Sequence, residues 1–505
     1  MKNVAYIVAL LVFMSAYFLT LTFLPENVGA TTLYVGGIGF GNYTTIQGAI
    51  DDANPGDTVY VYNGTYYEHI TIDVPLSLAD VDRDTTSVNG TGTGDVIYVT
   101  ADWVNITGFT VKDSGSSPGD SAVELYYVEN CRVVNSKLPS NGEKGLQLTY
   151  SSNNTIVNNS ASDNVLGIYL VGSHNNAVRN NTASNNSAGI MVDFSVGNVV
   201  AENNISYNDL GLDIFASENT TAISNFISRN RRFGITISHS FNSTISDNAL
   251  VEDGMFMSGF LEHWNSHSIE TSNTVNGKPV YYWKNTVGGY IPADAGQVIL
   301  ANCSDVVVEN LNVSTGSLGI ELGFSSRSVI ANNTASWNDY GGIVFYNSDN
   351  NTVTNSSAAS SGYYGISLRQ SSHNNAVTYN NASSNIWRGI LIVESDDNTV
   401  INNTVSDNYF AGIYLDEFSN DNIIASNNIS DNERGIHAHE DSSQNRIYHN
   451  ILIDNTLQAF DDSGSNEWDN GYPSGGNYWS DYNGTDNKSG PNQDQPGSDG
   501  IGDVP

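Results

Sequence analysis

The chain has 505 residues, and its 54 Asp and Glu against 18 Lys and Arg give a formal charge of −36. A surface this acidic favours solubility and cation binding. It has no basic patch to neutralise phosphates, which excludes nucleic acid as a partner.

Residues 1–30 begin with Lys2, continue as an apolar run from Val4 to Leu24, and end on Pro25 and the small stretch Val28-Gly29-Ala30. This is the pattern of an export signal peptide. The run is also long enough, at about 20 residues, to serve as an uncleaved membrane anchor. Either way the remainder is expected to be secreted or at the cell surface, with the membrane touched only through this segment.

Residues 31–121 are expected to hold an N-terminal cap and the first coils of a solenoid. In TTIQGAIDDA, residues Ile46, Ala49, Ile50 and Ala53 share one helical face, and Pro55-Gly56-Asp57 and the strand TVYVYNG follow. A short amphipathic helix here would cover an open solenoid end.

From 122 to 460 the chain repeats every 22–24 residues. Gly145, Gly167, Gly189, Gly211 and Gly234 open the runs GLQL, GIYL, GIMV, GLDI and GITI, and the series resumes from Gly296 through Gly319, Gly342, Gly365, Gly389 and Gly412 to Gly435. Residues +1 and +3 from each glycine alternate as strand residues facing a core, and the Asn/Ser/Gly clusters between runs mark turns. Helical repeats would need longer runs at a 3.6-residue period, so the fold class is all-β: a single right-handed parallel β-helix. Paired asparagines near +13 and +14 suit bends and can bond their counterparts one coil away. The many N-x-S/T sequons arise from this composition, and most are read as structural, although an exported chain is open to glycosylation.

Cys131 and Cys303 lie six or seven coils apart. At about 4.8 Å per coil, roughly 30 Å separates them, so both are expected as free thiols.

The repeat is interrupted at about 255–295, where the excess residues are expected outside the core as an inserted loop and hairpin. Asn276-Gly277 should turn the hairpin, displaying Tyr281, Tyr282 and Trp283 as carbohydrate-binding candidates. The same stretch holds Met255, Met257, His263 and His267, whose thioethers and imidazoles suit copper. Residues 461–505 form a Gly/Asp/Asn-rich capping tail. Its Asp494, Asp499 and Asp503, with Gly500 and Gly502, fit part of a calcium-loop pattern, while Tyr478, Trp479 and Tyr482 are expected to cover the last coil.

The stretch TTIQGAIDDANPGDTVYVYNGTYYEHITI resembles the N-terminal cap of pectin-lyase-like β-helices, and the coils resemble the CASH repeats. The GI-x-L…N-x-V coils, the segment NTVNGKPVYYWKN and the tail GGNYWSDYNGTD…DGIGDVP are similar to NosD-like proteins and their archaeal surface relatives. Resemblance to pectate lyases would imply a calcium-bound acid cluster with a basic residue. Resemblance to polygalacturonases would imply paired Asp with G-H-G and R-I-K motifs, and neither G-H-G nor R-I-K is present.

Outward residues at +2 and +4 offer two surface clusters. Asp193 and Asp213 fall on adjacent coils near Tyr169 and Phe215. Tyr414 and Asp416 fall beside His437 and His439, with Glu440 next. A carboxylate against an imidazole is an acid/base pair or half a metal site. The expected function is a secreted, non-catalytic surface protein that contacts a glycan or another cell-surface component, or serves as scaffold. The alternatives are a polysaccharide lyase or hydrolase with an unfamiliar site, and a copper-binding accessory of metalloenzyme assembly.

Overall fold

The computed structural model describes residues 29–439 and 441–502. The export-signal segment, up to residue 28, lies outside the described residues, as do Glu440 and Asp503. The chain winds a right-handed parallel β-helix of about 19 turns. No described helix is long and apolar enough to cross a membrane.

Each coil opens on the strand that carries the glycine, such as Leu166–Val171, and these strands stack into a lead sheet. Ile168 and Leu170 point inward and are fully buried. The glycine is required by the next coil: a Cβ on Gly167 would lie 2.5 Å from the Gly189 carbonyl oxygen. Second and third short strands, such as Ala177–Arg179 and Thr182–Ser184, complete the turn.

The asparagine pairs divide their work. The first member, as at Asn158 and Asn180, takes the left-handed backbone and stays exposed. The second is buried and builds the ladder: Asn181 Nδ2 donates to Asn203 Oδ1 (3.0 Å) and to the Ile156 carbonyl (2.9 Å), while its Oδ1 accepts from the Asn159 backbone N–H at 2.9 Å. One ladder ends on a carboxylate. Asn230 Nδ2 donates to Asp253 Oδ2 at 2.9 Å, and burial pushes the Asp253 carboxyl up to about 8.

Helix α1 (Ile46–Asp51), capped by the Thr45 hydroxyl, buries Ile46, Ala49 and Ile50 over the first coil. At the other end Trp468 and Trp479 pack on the last coils, 5.9 Å apart, and Tyr478–Trp479 adds to the third sheet. Cys131 and Cys303 are free, buried and in different cores.

The interruption differs from expectation. Met255–Ser258, Ser268–Ile269 and Thr274–Val275 continue the three sheets, so most of the excess is one more coil carrying helix α2 (Leu261–Ser266). Asn276 and Gly277, both at positive φ, then reverse the chain. Lys278–Lys284 pairs antiparallel with Thr274–Val275 and parallel with Gln297–Ala301, opening a second lead sheet. The first strands of that sheet are a wall between two cores. Ile299, Leu318 and Val344 face the first core, whereas Val298, Ile320 and Ile343 face the second. The solenoid thus comprises two stacks, and the flank of the second closes the open end of the first. Trp264 of α2 is buried in this joint against Gly323, where any Cβ would collide with the indole.

Candidate functional site

On the first stack, residues just after the lead strand take positive φ and swing outward. Tyr127, Tyr150 and Phe194 occupy this place and are 61%, 55% and 60% exposed. Tyr126 and Tyr127 meet edge to face at 4.7 Å, and Tyr127 and Tyr150 lie 4.9 Å apart. Tyr150 extends over Gly172, which keeps the row open between coils. The row borders a polar face. Thr149 Oγ1 and Gln147 Nε2 donate to Glu124 Oε1 at 2.7 and 3.1 Å, and burial pushes the Glu124 carboxyl up to about 7.

Farther along that face the two aspartates fall on adjacent strands, Met191 opposite Asp213 and Asp193 opposite Phe215. Tyr169 donates to Asp193 Oδ2 at 3.0 Å, while Asp193 Oδ1 and Thr236 Oγ1 are buried without partners. Burial, with Asp193 adding to it, pushes the Asp213 carboxyl up to about 6.

On the second stack Tyr414 pairs in register with His437, their rings perpendicular at 4.5 Å, and His439 Nδ1 lies 3.4 Å from Asp416 Oδ1. Arg434 Nη1 sits 2.9 Å from His437 Nδ1. The same Nη1 is 3.4 Å from Nε2, which in turn lies 3.9 Å from Asp462 Oδ1. Burial first, then Arg434, holds the His437 imidazole down at about 4. His437 is therefore a fixed, neutral, largely covered ring. The sequence reading missed Arg434, which sits one residue before the repeat glycine among residues taken as turn, and the rings of Phe410 and Phe460 that flank His437.

The four candidate copper donors are committed elsewhere in the fold. Met255 and Met257 are inward core residues of a regular strand. His263 Nδ1 accepts from the Phe260 N–H at 2.9 Å, and His267 Nδ1 from the Ser243 N–H at 3.2 Å. Burial holds the His267 imidazole down at about 4. Among the described residues no group of three or more His, Cys, Asp or Glu converges for a metal. These donors do not fit a copper centre. In the tail, Asp499 Oδ2 accepts from the Gly490 N–H and Gln493 Nε2, both at 3.1 Å, which occupies an oxygen that calcium would need.

Tyr281 and Trp283 pack on the second core and Tyr282 on the first. Tyr281 donates to Asp294 Oδ1 at 2.8 Å and Tyr282 to the Trp264 carbonyl. The hairpin aromatics are thus part of the joint, half-buried rather than displayed.

Coils of this form define a right-handed parallel β-helix. The family described as "Periplasmic copper-binding protein (NosD)" matches residues 77–288 and 284–484, and the chain belongs to this family. The two matches meet at the joint, one to each stack. A search of curated proteins gives no match. Similar solved structures include pectate lyase Pel9A (16% identity, covering 52% of this chain and 76% of that one, TM-score 0.36). The Azotobacter vinelandii mannuronan C-5 epimerase AlgE4 A-module is also similar (15%, 73% and 94%, TM-score 0.29). A third is the periplasmic alginate epimerase AlgG (12%, 82% and 84%, TM-score 0.28).

Proposed function

We propose that the chain works outside the cytoplasm as a non-catalytic scaffold that holds a glycan along the first stack, with its outward sequon asparagines available for glycosylation. The observation that supports this reading is the row of Tyr126, Tyr127, Tyr150 and Phe194, exposed rings beside Glu124, Gln147 and Thr149. Aromatic faces bind the apolar faces of sugar rings, and amide, hydroxyl and carboxyl groups bind their hydroxyls. Carboxyls along this face favour a neutral glycan. Affinity electrophoresis through neutral polysaccharides tests the proposal. Retardation should weaken about tenfold on Tyr127→Ala or Tyr150→Ala; equal retardation of wild type and both variants would overturn it.

A catalytic reading draws on Asp213, whose raised pKa suits a general acid. Incubation with pectate, alginate and neutral glycans is expected to release no product. Release that is abolished by Asp213→Asn would make the chain an enzyme.

A further inference from the structure

Five arginines of this chain, Arg229, Arg231, Arg232, Arg327 and Arg446, pair with carboxylates, as expected where acids outnumber bases threefold. Arg388 and Arg434 do not: neither makes an ion pair with a described carboxylate. They open the lead strands Arg388–Val393 and Arg434–Ala438 and are in register through the buried Ala411 between them. The Arg388 guanidinium carbon lies 4.1 Å from the Tyr414 ring centre, 5.2 Å from Trp387 and 5.3 Å from Phe410. That of Arg434 lies 5.0 Å from Phe410 and 4.8 Å from Phe460. The result is an alternating stack, Trp387, Arg388, Phe410, Arg434, Phe460, on the outer face of the second stack. Trp387 is 43% exposed at its edge, and Arg388 Nε is buried without a partner.

Rings hold a guanidinium in place through its face and leave its charge unpaired. Of the edge donors, Arg434 Nη1 is directed at His437, and the others remain for a ligand. Two such cations fixed one coil apart from a common neighbour stand about 10 Å from each other along the helix axis. We propose that this strip binds a linear acidic polysaccharide running along the axis, its carboxylate or sulfate groups taken by Arg388 and Arg434 and its sugar rings lying on Trp387 and Phe460. The site is separate from the aromatic row of the first stack and does not depend on it. Of the chain's own acids, Asp462 stands near Arg434 across His437 without pairing with it, and charges beyond a Debye length of about 8 Å are largely screened at physiological ionic strength.

The test is calorimetric titration of the full chain at physiological ionic strength with alginate for carboxylate, dextran sulfate for sulfate, and dextran as the neutral control. Alginate or dextran sulfate should bind in a way that depends on the two arginines, whereas any dextran binding belongs to the first-stack row and should be the same in the arginine variants. The double variant Arg388→Gln/Arg434→Gln should lose about 100-fold in affinity, and Arg388→Lys, which keeps charge without the planar fork, about tenfold. Tyr127→Ala should leave this binding unchanged, which separates its failure from that of the glycan row. If the double variant does not fold, the lysine variants at both positions carry the measurement. No binding of alginate or dextran sulfate, or affinity for them unchanged in the arginine variants, would overturn the proposal.

Discussion

At the scale of single residues, the burden on a buried asparagine is larger than its side chain suggests. Asn181 completes the backbone N–H of Asn159 as well as its own amide. Asn181→Ala should therefore cost about 2–4 kcal/mol in urea unfolding, because it strands a buried donor beside a lost hydrogen bond. Its exposed neighbour differs. Asn180→Gly should change stability by less than about 1 kcal/mol, since glycine accepts the left-handed backbone. Asp253 completes the same kind of ladder as Asn230 with a carboxyl where an amide would fit. Its folded pKa of about 8 lies above the unfolded value. Its contribution is thus fully present below about pH 4 and lost as pH rises through 8. Asp253→Asn should stabilise the protein above pH 7 and flatten the pH dependence of the melting temperature there.

At the scale of elements, the coils were legible because period, inward alternation and turn chemistry agreed from Gly145 to Gly435. The joint was not. Helix α2 sits inside a coil and hides its phase, and the coil opened by Gly254 lacks the G-I-x-L form. A second core cannot be inferred from alternation, since wall strands bury both faces and read like any buried strand. The Tyr414–His437 and Asp416–His439 contacts followed from register alone, whereas the arginine stack depends on the row before the glycine. Trp264 carries much of the joint. Trp264→Ala should cost about 3–5 kcal/mol and open the segment around 255–295 to proteolysis before the coils on either side. Cleavage confined to other coils would show that the wall holds without the indole.

At the scale of the whole molecule, several buried carboxyls share one sign of shift. Asp213 at about 6, Glu124 at about 7 and Asp253 at about 8 all stand above their unfolded values. Each of these carboxyls keeps its proton to higher pH in the folded chain and so lowers stability as pH rises, by up to about 1.4 kcal/mol per pH unit while it titrates differently. His267 and His437, held down at about 4, act in the opposite sense up to about pH 6.5, and the three carboxyls together outweigh them. Calorimetry should give a higher melting temperature at pH 5 than at pH 8; the reverse order would mean these carboxyls are ionised in the folded state.

The outward member of each asparagine pair also sets a limit on crowding. In Asn153-Asn154-Thr155, Asn158-Asn159-Ser160 and Asn180-Asn181-Thr182, the sequon begins on the exposed residue and never on the ladder residue behind it. Where two such sequons share a file on neighbouring coils, as at Asn158 and Asn180 or Asn332 and Asn355, they stand about 4.8 Å apart. A branched sugar tree is far wider than that interval, so a tree on one coil shadows the next. If the exported chain is glycosylated, occupancy at such neighbours must be mutually exclusive: a mass spectrum of the intact chain would show far fewer trees than sequons, and peptides from adjacent coils would rarely carry them together.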